Sequence, residues 1–225
     1  MAEIETMNME VNIADGLVGI HRSITRGFTI IEETLQSMMH KTLSDEESFK
    51  GFLYYLSSLI TLIHTHHSTE DAIVFPIFRK KTIDAPYSLL VKEHVKMEAM
   101  LNEIKSLIER LTENKEDMVT MKKLQETIQA LNDLWSPHIE IEECNFSGTT
   151  IGTHIIVEEQ QQIAIQIGQH MAQNAKPDYL LIPFIFYNLS SEDRKMMQPF
   201  LPANITSLLS TWKNSWMPMK PYLID

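Results

Sequence analysis

A glutamate follows a histidine by four residues in four places: His66/Glu70, His94/Glu98, His138/Glu142 and His154/Glu158. Random placement of nine histidines and 21 glutamates among 225 positions would give roughly 0.8 such pairs, so the excess needs a cause. On a helix, residues i and i+4 share a face, and each pair can aim an imidazole and a carboxylate at one point. Helices are what the chain predicts. Leu17, Ile20, Ile24, Phe28, Ile31 and Leu35 form an apolar stripe over residues 16–40. Ser44-Asp45-Glu46-Glu47 opens a second helix, with Phe52, Leu56, Leu59 and Ile63 on one side until Pro76 stops it. A third begins near Asp84-Ala85-Pro86 and runs through Leu90, Met97, Leu101, Ile104 and Ile108. Beyond Thr112-Glu113-Asn114-Lys115, a fourth carries Met121, Leu124, Ile128, Leu131 and Trp135.

Four long amphipathic helices with short links predict an all-α fold, an antiparallel up-down four-helix bundle over residues 15–146. A flexible N-terminus, residues 1–14, is expected before it. A turn at Ser147-Gly148-Thr149 starts a C-terminal helical extension, residues 147–225, with a fifth helix near 151–174 and shorter ones near 178–189, 191–198 and 203–216. The extension carries Phe184, Phe186, Tyr187, Trp212 and Trp216, too apolar to float free. It is expected to pack on the bundle and shield its interior, with homodimerisation through the same surface as the rival reading.

The three pairs inside the bundle continue apolar stripes. His66 and Glu70 follow Ile63, His94 and Glu98 lie between Leu90 and Leu101, and His138 and Glu142 extend Leu131 and Trp135. His21 sits in the first helix's stripe. Four helices thus send histidine, and three also glutamate, into what should be a dry core. Unpaired buried carboxylates cost several kcal/mol each, and no Lys or Arg occupies these stripes nearby. A multivalent cation would resolve the conflict. Four imidazoles and three carboxylates without a thiolate favour iron or manganese ahead of zinc. Seven side chains suit two ions; with two bridging carboxylates and an oxo or hydroxo bridge, about 11 of roughly 12 coordination positions are filled. The Glu-x-x-His signature of ferritin-like bundles is absent.

Composition narrows the setting. A net charge of −11 argues against nucleic acid or an anionic membrane as partner. One cysteine excludes an internal disulfide and cysteine zinc sites, and no segment reaches the apolar length of a membrane helix. The acidic start lacks the features of a signal peptide, so a soluble cytoplasmic protein is expected.

His21, His66-His67-Ser68-Thr69-Glu70, His94-Val95-Lys96-Met97-Glu98 and His138-Ile139-Glu140-Ile141-Glu142 stand in an order that resembles the hemerythrin-like, HHE cation-binding family, as does the exit Glu70-Asp71-Ala72-Ile73-Val74-Phe75-Pro76. The resemblance covers residues 15–145 and not the extension. It implies a non-haem di-iron centre with His21 and His66 on one iron, His94, Glu98 and His138 on the other, and Glu70 and Glu142 bridging. The oxygen carriers of that family have a fifth histidine where Glu98 stands. A carboxylate there would favour the ferric state and weaken reversible storage. The expectation therefore leans toward a di-iron oxidoreductase of peroxidase or catalase type acting on peroxide, dioxygen or nitric oxide. An iron- or oxygen-sensing or oxygen-binding module without turnover is the alternative. On the fourth helix, carriers space the acid as Glu143 is spaced, while the apolar stripe favours Glu142.

The remaining groups carry plainer expectations. His67 points about 100° from His66 and braces a ligand, caps the bundle surface or is an alternative ligand. His64 is expected on the surface, Glu93 in solvent, and His40 at a helix end suited to its charge. His154/Glu158 is expected to face solvent or to brace the site from outside, rather than to form a second metal site. Cys144 reads as inert packing or a redox reporter, and the methionines as core filler or an access wall.

Overall fold

The apolar stripes become four long helices, which the computed structural model describes for residues 12–40 and 45–224. Most of the expected flexible N-terminus (residues 1–11), Ser44 and the side chain of His40 lie outside the described residues. The helices are α1 (Ile13–His40), α2 (Glu46–Thr69), α4 (Tyr87–Glu113) and α5 (Met118–Asn145). Helix α1 packs on α2 and α5, and α4 packs on the same two, closing an up-down ring. The starts are those the side chains dictate. Asp45 caps α2 by accepting from the Ser48 N–H, and Asp117 caps α5 by accepting from Val119 and Thr120.

Helix α2 does not stop at Pro76. It widens into a π-helical turn, Glu70–Val74, in which the Phe75 N–H donates to the Glu70 carbonyl, and continues as α3 (Phe75–Lys80). The change of helix type places Pro76 in the first turn of α3, where a missing N–H costs little. The fifth predicted helix is also two, α6 (Gly148–His154) and α7 (Val157–Asn174), broken at extended Ile155 and Ile156.

Helices α8 (Asp178–Tyr187), α9 (Ser191–Met197), α10 (Ile205–Thr211) and α11 (Lys213–Trp216) come next, with a final 3-10 turn, Met217–Tyr222. They share the bundle's core. Phe184 packs on Tyr55 at 4.8 Å, Tyr222 lies 5.7 Å from the same ring, and the Tyr222 hydroxyl donates to the Ser48 carbonyl at 2.9 Å. Gly51 permits this approach, because a Cβ there would run into the Pro218 backbone carbonyl. Gly19 on α1 likewise receives Met197. The extension therefore covers the outer faces of α1 and α2, where Phe184, Trp216 and Tyr222 are buried. Among the described residues, no helix is long and apolar enough to cross a membrane.

Candidate metal centre

Each bundle helix crosses from one apolar cluster to another through a polar layer. The larger cluster holds Ile24, Ile63, Met97 and Trp135; the smaller holds Ile13, Val74, Phe75, Leu90 and Phe146. Between them lie His21 on α1, His66 and His67 on α2, Glu70 at the π turn, His94 on α4, and His138 and Glu142 on α5, all buried. Trp135 floors this layer, its ring centroid 5.6 Å from that of His21 and 5.9 Å from those of His66 and His67.

The atoms that could hold a metal ion fall into two groups, His21, His66, Glu70 and Glu142, and His67, Glu70, His94 and His138, each with its atoms within 4.8 Å of one another. Glu70 belongs to both. Its Oε2 lies 3.4 Å from His66 Nε2 and 3.6 Å from His94 Nε2. Glu142 also reaches both sides, 3.3 Å from His21 Nε2 and 3.2 Å from His138 Nε2.

Three outer carboxylates turn the rings inward. Glu143 accepts from His21 Nδ1 at 2.9 Å, Asp71 from His94 Nδ1 at 3.0 Å, and Glu93 from His138 Nδ1 at 2.9 Å. A neutral imidazole that donates through Nδ1 keeps Nε2 as an acceptor. The Nε2 atoms of His94 and His138 nonetheless face each other at 3.1 Å, as do those of His21 and His66. Facing lone pairs repel unless a cation lies between them. Two nitrogens on one ion, at roughly 2.1 Å and a right angle, would stand about 3.0 Å apart.

The carboxylates point to the same deficit. Both oxygens of Glu70 and of Glu142, and Nε2 of His67, are buried without hydrogen-bond partners. Without metal, protons take up part of the strain. Burial, reinforced by the charges of Glu142 and Asp71, pushes the Glu70 carboxyl well above its usual range. Burial would also raise Glu142, but the close imidazoles of His138, His21 and His94 hold it well below. For His21 and His94, burial is overcome by their carboxylate partners and both are raised, whereas burial and neighbouring imidazoles keep His66 and His67 well below. Five imidazoles and two carboxylates with unsatisfied oxygens, and no thiolate, fit a transition-metal cation such as iron.

One predicted ligand is not here. Glu98 is partly exposed and accepts from His64 Nδ1 at 2.7 Å, away from the cluster. The ring of His67 is buried instead and lies parallel to that of His94, with centroids 4.1 Å apart. Position 98 is one turn beyond His94, and the ring of His67 from α2 occupies the space alongside. The predicted ligands His21, His66, Glu70, His94, His138 and Glu142 come together, with Glu143 behind His21. Glu93, expected in solvent, and Asp71 were missed; a carboxylate next in sequence to a ligand, as Asp71 is to Glu70 and Glu93 to His94, is the signal that could have found them. His154 and Glu158 face solvent on different helices, and Cys144 is exposed rather than part of the core.

The extension does not seal the centre. Helices α7, α8 and α10 and the 3-10 turn Gln198–Phe200 enclose with α1 and α2 an open cleft of about 820 Å³, whose inner end is formed by His66, Thr69 and Glu70. Oγ1 of Thr69 lies 2.9 Å from His170 Nδ1 of α7.

Residues 12–147 match the family model described as Hemerythrin HHE cation binding domain. No curated protein and no solved structure matches the chain.

Proposed function

The chain belongs to the hemerythrin HHE cation-binding family, and we propose that its centre holds two iron ions and takes up a small oxidant: dioxygen, peroxide or nitric oxide. The observation that carries this reading is the sharing of Glu70 between two groups of ligand atoms. His21 and His66 would hold one ion, His67, His94 and His138 the other, with Glu70 and Glu142 between them. Iron would supply the electrons and the attachment point for the oxidant.

The chain's own residues set where that happens. With Glu142 shared as Glu70 is, the side with two histidines would be one donor short of the side with three, and its His66 and Glu70 line the cleft. With an oxo or hydroxo bridge, about 11 of roughly 12 positions are filled, which leaves one beside the cleft. Trp135 and the two apolar clusters keep bulk water from the remaining faces. The carboxylate at position 98 was the reason to favour reduction over reversible uptake. Because Glu98 stands outside the cluster, binding is the better supported activity. A sensing role is the second reading, favoured by the contact of Thr69, next to Glu70, with His170 of the extension.

Elemental analysis and optical spectra of iron-loaded protein test the proposal. About two irons per chain and a near-ultraviolet oxo-bridge band are expected, with a change on exposing reduced protein to dioxygen that reverses when the gas is removed. One iron or fewer per folded chain would overturn the two-ion assignment. Two irons with no response to dioxygen, peroxide or nitric oxide would overturn the oxidant reading and leave sensing.

A further inference from the structure

The cleft beside His66 and Glu70 is far larger than a small oxidant requires. A water molecule's share of liquid volume is roughly 30 Å³, and dioxygen is of the same order. At about 820 Å³ the cleft falls instead within the roughly 300–1,000 Å³ range of sites for drug-sized organic molecules.

Its walls are apolar and held open by sequence. Helix α7 presents Ala164, Gly168 and Ala172, one turn apart, where larger side chains would fill the space, and a Cβ at Gly168 would meet nothing within 4 Å. Opposite them stand Leu17 and Ile20 of α1 and Leu181 of α8, with Phe200 and Trp212. Ile165, another lining residue, remains 52% exposed, so the apolar surface is open to an incoming molecule. At the inner end, Glu70 is 1% exposed and both its carboxylate oxygens lack a hydrogen-bond partner.

Charge identifies the occupant. Among the described residues, no Lys or Arg lines the cleft, and its two acidic residues are Glu70 and Asp178. Asp178 is neutralised by Lys176, whose Nζ donates to both its carboxylate oxygens at 2.7 and 2.9 Å. An organic anion would find no cationic side chain among the described lining residues to offset the cost of leaving water. We propose that this cleft binds an uncharged, largely apolar organic molecule with one polar end directed toward Thr69 and Glu70, beside the metal ligands. The proposal goes beyond the uptake of a small oxidant and does not depend on how many ions the centre holds.

The test is a fluorescence titration with the uncharged probe N-phenyl-1-naphthylamine, on full-length protein both metal-loaded and chelator-stripped, with metal content measured in each sample. Saturable binding is expected in both, reversed by 1-dodecanol and not by a tenfold higher concentration of dodecanoate. Gly168→Phe should weaken probe binding at least tenfold with metal content unchanged. Ala164→Phe on the same wall provides the same reading if the first variant does not fold. Absence of saturable binding, wild-type affinity in a folded wall variant, or equal displacement by dodecanoate would overturn the proposal. A failure of the two-iron assignment would show only in the metal content.

Discussion

His67→Leu separates the two ligand sets that sequence and structure suggest. The His67 ring is buried and its Nε2 has no hydrogen-bond partner, a defect worth about 1–3 kcal/mol in the metal-free protein. Leucine removes that defect and keeps an apolar body against His94. The stacked contact at 4.1 Å is lost, at about 0.5–1.5 kcal/mol. The balance favours the variant by about 1 kcal/mol, or roughly 2–4 °C in Tm for a chain of this size. Iron responds in the opposite direction. Residues that merely brace a ligand are worth 10–100-fold in affinity, so loss of the imidazole itself should cost at least about 100-fold, near 2.7 kcal/mol. Calorimetry of stripped and iron-loaded protein, with chelator competition, reads both effects. Glu98→Ala is the control, with stability changed by no more than about 0.5 kcal/mol and iron affinity unaltered, because its partner is the exposed His64. Wild-type iron affinity in His67→Leu, or loss of iron in Glu98→Ala, would refute the assignment of the fifth histidine.

Asp71→Asn and Glu93→Gln each release one ligand ring, and each should lower iron affinity by about 10–100-fold with little change in the metal-free Tm; undiminished affinity in chelator competition would contradict the bracing role. Iron affinity should rise with pH from the ordinary carboxyl range past the ordinary histidine value of 6.5, because Glu70, His21 and His94, all raised, must release protons to bind metal. A flat profile with no proton release would exclude this. Above 6.5, metal-free stability should take the opposite trend, since the contribution of His21 and His94 is complete below 6.5 and is lost as pH climbs through their raised values; melting curves that improve over that span would be inconsistent with it. Gly51→Ala should cost about 1–3 kcal/mol, because its Cβ meets the Pro218 backbone, whereas Gly152→Ala meets nothing and should be neutral or stabilising by thermal melts.

The bundle was legible because its apolar residues recur at helical spacing, and six of the clustered side chains were legible because they lie on those same stripes. The exchange of Glu98 for His67 was not. Helical spacing gives the direction of a side chain about its own axis, but not which of two neighbouring helices fills the space between them. His67 and Glu98 are each about one turn from that space, and only the packing of α2 on α4 admits the imidazole and leaves the carboxylate outside. The π turn was hidden for a related reason. Pro76 looked like a helix end, yet the added residue in the turn lets the helix continue and brings Phe75 with Val74 into the lower apolar cluster. The cleft was less accessible still, since its small residues Ala164, Gly168 and Ala172 acquire meaning only from what α1 and α8 place opposite them.

Charge balance favours two ions over one. Glu70 and Glu142 face the interior, and Asp71, Glu93 and Glu143 press on the outer nitrogens of three of the buried rings. With all five carboxylates ionised, a single divalent ion would leave a local charge of about −3 around a buried layer, where unbalanced charge is costly. Two divalent ions reduce this to about −1, and two ferric ions with an oxo bridge arrive at the same figure. In the metal-free site, Glu70 is driven toward its neutral form and His21 and His94 toward their charged forms. Protons thereby stand in for the ions. The net charge of −11 therefore describes the chain without its metals, and the centre has its own balance, set by these five acids and the cations they surround.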